Sequence, residues 1–240
     1  MSFEDPQFWI AVLQIIAIDI VLGGDNAVVI ALACRRLPEK QRNIVIFWGV
    51  FGAIAMRVVL IFFALSLLAV PYLKIVGAVL LLWIGVKLLQ PEPAETHEIS
   101  ASTGLLGAIK TIIIADAVMS LDNVIAIAGA AKDSIGLVVF GLVISVPIIV
   151  WGSKFVMKLM DRYPLTIVIG AGLLGWIAGD MAVTDAVTKE WVNTHADYLH
   201  WVAPVLAALL VVTVGKGLAA RAQAKLMPVI DLVDEKKQSQ

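Results

Sequence analysis

The chain is 240 residues long, 60% hydrophobic and only 15% charged, with a formal net charge of −1. That balance excludes an ordinary soluble domain and a disordered charged chain, and no basic patch is present to hold nucleic acid. Its single cysteine, Cys34, excludes an internal disulfide and a cysteine-based metal cluster.

A helix needs about 20 predominantly apolar residues to cross a bilayer, and in lipid the backbone must satisfy its own hydrogen bonds. Seven apolar segments of about that length occur, at roughly 8–33, 44–68, 72–90, 105–131, 136–157, 165–183 and 200–220. The expected fold is an all-α, multi-pass membrane protein. The acidic start, Met1-Ser-Phe-Glu-Asp-Pro, is unlike the basic start of a cleavable signal peptide.

The first segment carries Asp19-Ile-Val-Leu-Gly-Gly-Asp25-Asn26. On an unbroken helix residues six apart point about 120° from each other. Glycine readily leaves helical geometry, so a break at Gly23-Gly24 would let both carboxylates turn toward one point. Asp25 would then cap a new half-helix. The second segment contains Arg57 and the third Lys87. Residues 91–104, with three glutamates, His97 and two prolines, read as a solvated linker rather than a metal-capturing mouth.

The fourth segment repeats the motif 97 residues on, as Asp116-Ala-Val-Met-Ser-Leu-Asp122-Asn123. Windows 19–33 and 116–130 share seven of fifteen positions, three of them Asp, Asp and Asn in a protein with four asparagines. Ser120-Leu121 replaces the glycine pair, so a break is less strongly indicated there. In the fifth segment Lys154 stands at the same offset from Arg57. In the sixth, Pro164 to Asp180 aligns without a gap to Pro71 to Lys87, sharing Pro, Gly-Ala, Leu-Leu and Trp-Ile, with Asp180 in the place of Lys87.

Segments one to three thus recur as four to six, and three crossings per unit make the second unit inverted. The expected organisation is a first three-helix repeat at 8–90, a cytoplasmic linker at 91–104 and an inverted repeat at 105–183. An outer loop at 184–199, a seventh helix at 200–220 and a cytoplasmic tail at 221–240 follow. Inverted repeats are a recurrent transporter architecture, with the site near the midplane where the units meet. Lys and Arg gather after segments one and seven and near the junction of five and six, which puts the amino terminus outside and the carboxyl terminus in the cytoplasm. Gly77, Gly170, Gly172, Gly175 and Gly179 read as close-packing positions.

Ionisable groups inside a membrane are costly and usually mark a site. Asp19, Asp25, Asn26, Asp116, Asp122 and Asn123 all supply oxygen, which suits Mg²⁺, Ca²⁺ or Mn²⁺ better than zinc or copper. Four carboxylates cannot all stay ionised unaided. A divalent ion neutralises two, and the rest need protons or pairing with Arg57, Lys87 or Lys154, with Asp180 a further candidate partner. Carboxylates that exchange protons for metal would make an exchanger. Competing readings are aspartates that merely tie helices together through those cations, an exporter of an amino acid or other small solute, and an intramembrane aspartyl protease. Clustered aspartates repel a substrate carboxylate, and a protease needs one asymmetric pair rather than four symmetric groups.

Both motif copies, together with Trp176-Ile-Ala-Gly-Asp180, resemble the TerC family of bacterial integral membrane proteins, in its YjbE-like branch, over about residues 8–220. The resemblance implies a non-enzymatic exporter of metal ions, chiefly manganese, in the bacterial cytoplasmic membrane. It implies Asp25, Asn26, Asp122 and Asn123 as ligands and Asp19 and Asp116 as ligands or proton carriers. Mn²⁺ or another divalent cation is then transported substrate, with no permanently bound cofactor, and the expected partners are that ion and the lipid bilayer.

Overall fold

The computed structural model describes residues 6–63, 66–67, 70–90, 100–131 and 135–238. The described residues fold as helices α1 (Pro6–Leu22), α2 (Gly24–Cys34), α3 (Glu39–Phe62), α4 (Leu73–Leu89), α5 (Ser100–Ala131), α6 (Ile135–Arg162), α7 (Leu165–Val183), α8 (Lys189–His195) and α9 (Leu199–Gln238), with no strand among them. The linker stretch 91–99 lies outside the described residues. The segment after 220, read as a tail, continues as helix to Gln238, and the outer loop contains α8.

Among the described residues, five helices are long and apolar enough to cross a membrane, or six when α1 and α2 count as one bent span. The expected third span falls short because α4 has only 17 residues. At about 1.5 Å per residue it is roughly 25 Å long, against a hydrocarbon core of about 30 Å. The break between α1 and α2 falls where the glycine pair predicts it, and the two axes diverge by 48°. Gly23 is the hinge residue, with φ −106° and ψ 5°. A Cβ there would run into the Asp19 carbonyl oxygen, so the close turn requires glycine. At the corresponding place in the second copy, Ser120-Leu121 keeps the helix intact and α5 runs unbroken.

Apolar residues lie outside as well as inside. Phe47, Trp48 and Phe51 on α3 and Trp151 and Phe155 on α6 are exposed, as expected of surfaces that face lipid. Inside, Val29 and Leu32 of α2 pack with Val45 of α3, Leu81 of α4, Ile112 of α5 and Leu174 and Met181 of α7. A second cluster joins Val12 and Ile15 of α1 to Leu137 and Leu142 of α6 and Ile127 of α5. The main helix pairings are α3 with α5, α1 and α2 with α6, α4 with α7, and α9 with both α7 and α4.

Helices α7 and α9 meet backbone to backbone. A Cβ on Gly175 would lie 2.6 Å from the Ala207 carbonyl oxygen, and one on Gly179 2.5 Å from that of Ala203. Gly77 and Gly170 are similarly crowded by side chains, at 2.8 Å from Val118 and Val28, whereas Gly172 has only ordinary contact. Close packing through small residues is how membrane helices associate without a hydrophobic drive between them.

Charges hold α4 at both ends. The fully buried Asp185, beyond the end of α7, accepts hydrogen bonds at Oδ1 from the backbone N–H of Tyr72 (3.0 Å) and Val187 (2.9 Å). Its Oδ2 accepts from Lys74 (3.0 Å) and Ile75 (3.4 Å). Tyr72 adopts a left-handed φ of 67° to present its N–H. At the far end Arg35 Nη2 donates to the Leu88 carbonyl at 2.7 Å. Anion at the amino end and cation at the carboxyl end both complement the helix dipole.

Burial alone would raise the Asp185 pKa, but the four N–H donors outweigh it and hold the carboxyl below the ordinary aspartate range. A depressed folded-state pKa stabilises above the unfolded value of about 3.9 and is lost as pH falls through the folded one. Asp185→Ala should therefore cost on the order of 3 kcal/mol near neutral pH. Thermal unfolding in detergent checks this, and the gap from the unmutated chain should narrow in acid. Gly175→Leu should separate α7 from α9 and abolish the folded monodisperse protein in size-exclusion chromatography.

Candidate functional site

Three helices deliver charge to one buried point. Asp19 comes from the last turns of α1, Asp116 from the middle of α5 and Arg57 from α3, and all three are buried. The pairing of α3 with α5 sets Arg57 against Asp116, and α1 crosses α5 to bring Asp19 to the same place. The guanidinium bridges them: Nη1 pairs with Asp19 Oδ1, and Nη2 donates to Asp116 Oδ1 at 2.6 Å. Its Nε donates to Ser120 Oγ at 2.9 Å, and that hydroxyl donates in turn to Asp116 Oδ2 at 3.3 Å. Ser120 follows Asp116 by one helical turn, so both face the same way. Ser145 of α6 donates its hydroxyl to Asp19 Oδ2. A planar fork of five donors suits two carboxylates at once, which a lysine ammonium does not match. Two carboxylates and one guanidinium leave one formal negative charge.

Beside this cluster lies a cavity of about 30 Å³, lined by Asn26, Arg57 and Asp116 together with apolar residues including Val29, Ile54 and Ile112. It is large enough for a water molecule or a single ion. Asn26, only 3% exposed, has no hydrogen-bond partner among the described residues for either its amide nitrogen or its amide oxygen. A buried amide left without partners costs about 1–3 kcal/mol, and the adjoining cavity has room for a water or an ion to satisfy it.

Asp25 is half-buried in the first turn of α2, and its Oδ1 accepts from the backbone N–H of Asn26 at 2.8 Å. It does not cap the half-helix as expected. The break falls two residues earlier than that role requires, so Gly23 occupies the cap and Asp25 sits inside the turn. Asn123 is buried on α5, while the Asp122 side chain lies outside those described. Lys87 is exposed, with Nζ 4.9 Å from the Trp83 ring centre, and Lys154 is exposed on α6. Asp180 lies half-buried in the last turn of α7. Among the described residues, no group of three or more His, Cys, Asp and Glu side chains is placed to hold a metal ion.

A protein-family model described as "Integral membrane protein TerC family" matches residues 4–224. The chain belongs to the TerC family. It is 45% identical to "Uncharacterized membrane protein YjbE" of Bacillus subtilis over 208 residues, 87% of this chain and 94% of that relative. It is 27% identical to YceF of the same organism, across 74% of this chain and 72% of the relative. The inner membrane protein YgdQ of Escherichia coli K12 is 28% identical, with 67% of this chain and 74% of the relative covered. No solved structure matches. Membership in an integral membrane family and several spanning helices together make this a multi-pass membrane protein.

Within this family member, sequence reasoning missed Ser120 and Ser145. Their one visible signal is a hydroxyl in otherwise apolar helix, and Ser120 stands at the repeat position of Gly23. Arg57→Met should leave Asp19 and Asp116 uncompensated and cost about 3–5 kcal/mol. Adding Asp19→Asn and Asp116→Asn to that variant should recover much of the loss in thermal unfolding.

Proposed function

We propose that this TerC-family chain is a transporter of divalent metal cations, with Mn²⁺ the favoured cargo and export the direction, both taken from the family resemblance. The observation that carries this reading is the unpartnered Asn26 amide facing a cavity whose wall includes Asp116 and the Arg57 bridge to Asp19. Carboxylate, amide and hydroxyl oxygens are hard ligands, suited to Mn²⁺, Mg²⁺ and Ca²⁺. Asp25, Asp122 and Asn123 complete the candidate set as the ion moves between the two faces.

The transport architecture we propose has seven crossings, with α1 and α2 together as the first and α4 as a short third. Two inverted repeats precede a seventh helix in α9, with the amino terminus outside and the carboxyl terminus in the cytoplasm of a bacterium. Helix pairing supports the repeat. The first crossing packs on the fifth as the fourth packs on the second, while the third packs on the sixth. That pattern returns to itself when the two units are exchanged. Alternating access would then be rocking of one unit against the other around the site. Protons moving opposite to the metal would balance the carboxylates left bare when it departs.

Purified protein in sealed vesicles should move Mn²⁺, and a pH-sensitive dye should record opposite proton movement. Asn26→Leu removes an unpaired buried amide, so unfolding should shift by less than about 1 kcal/mol or toward greater stability. Mn²⁺ binding and transport should nevertheless fall at least tenfold, and retained transport would overturn the site. Asp25→Ala and Asp122→Ala should behave like deletion of the protein in cells challenged with manganese.

A further inference from the structure

The Arg57 bridge has a consequence for how any cation reaches the two carboxylates. Asp19 and Asp116 present their oxygens to the guanidinium and to Ser145 and Ser120, from four different helices, so that all four carboxylate oxygens already have a partner. An ion arriving beside Asn26 therefore meets occupied ligands. Arg57 is itself part of the cavity wall, so open space lies next to the group that would have to move. Lys87 and Lys154, the other cations at related positions, are exposed and point to no such role.

We propose that Arg57 is a tethered counter-cation that competes with the cargo for Asp19 and Asp116. This rests on the divalent-cation reading above. With the ion absent, the guanidinium neutralises one of the two buried negative charges and holds α1, α3 and α5 together. A divalent ion cancels both charges, and the guanidinium lets go of the two carboxylates as it binds. When the ion leaves, the guanidinium returns. Binding is thereby kept weak enough for release, because every ion bound must first break a buried, bidentate ion pair. The single positive charge of Arg57 also sets the selectivity: a monovalent cation gains nothing by replacing another, whereas a divalent one does.

The test measures Mn²⁺ binding to the detergent-purified full chain by calorimetry. Arg57→Gln, neutral and still able to hydrogen-bond, should bind Mn²⁺ at least tenfold more tightly than the unmutated protein while transporting it more slowly. Damage to a merely structural clamp would weaken binding, so tighter binding separates the two roles. Arg57→Lys, which keeps the charge but cannot bridge both carboxylates as a fork, should give a smaller increase and serves if the glutamine variant does not fold. On the unmutated chain labelled with ¹⁵N-arginine, saturation with diamagnetic Mg²⁺ should shift the side-chain N–H signal of the buried arginine. Equal or weaker Mn²⁺ binding in a folded variant, or an unmoved arginine signal at Mg²⁺ saturation, overturns the competition while leaving the cargo intact. If neither the unmutated chain nor a folded variant binds a divalent cation, the cargo reading falls and this inference with it.

Discussion

A guanidinium shared by two carboxylates, closed inside apolar helices, is the interaction on which the rest of the site depends. Any one of these charges alone would be prohibitively expensive to bury, and each is tolerable because the other two are there. The cluster ties α1 to α5 through α3 and recruits α6 through Ser145, while α2 adds Asn26 to the cavity beside it. Asn26, across the cavity, is the group this network leaves unsatisfied. A protein selected only for stability would put an apolar side chain there.

Away from the site the molecule is built differently. Helices α7 and α9 touch backbone to backbone at Gly175 and Gly179, and α4 is fastened at its amino end by Asp185 and at its carboxyl end by Arg35. Direct backbone contact leaves no slack. Around the site, the buried Arg57, Asp19, Asp116, Ser120 and Ser145 side chains link α1, α3, α5 and α6 beside a cavity of about 30 Å³.

Much of this was legible in the sequence because it depends on local chemistry. The glycine pair broke the first helix at Gly23, and of the two motif copies Asp19, Asp116 and Asn26 meet at the Arg57 cluster and its cavity. What was not legible depends on tertiary direction. Arg57, Lys87 and Lys154 are equal candidates on paper, and only the face that α3 turns toward α5 selects the arginine. The role of Asp185 is invisible in the sequence because its partners, Tyr72, Lys74 and Ile75, are more than a hundred residues away. Ser120 and Ser145 were hidden because a serine within a helix can also satisfy itself on its own backbone. The third apolar segment read as long enough to cross, yet its helix closes at 17 residues, since the left-handed Tyr72 starts it late and Gln90 ends it in extended backbone.

The most direct measurement is a crystal structure of the protein soaked in manganese, with data collected for anomalous scattering. A caged divalent cation predicts a peak bounded by Asp19, Asp116 and Asn26, with the Arg57 side chain displaced from between the two carboxylates. A structure saturated with manganese in which no peak lies there, and the arginine still bridges both aspartates, would contradict it.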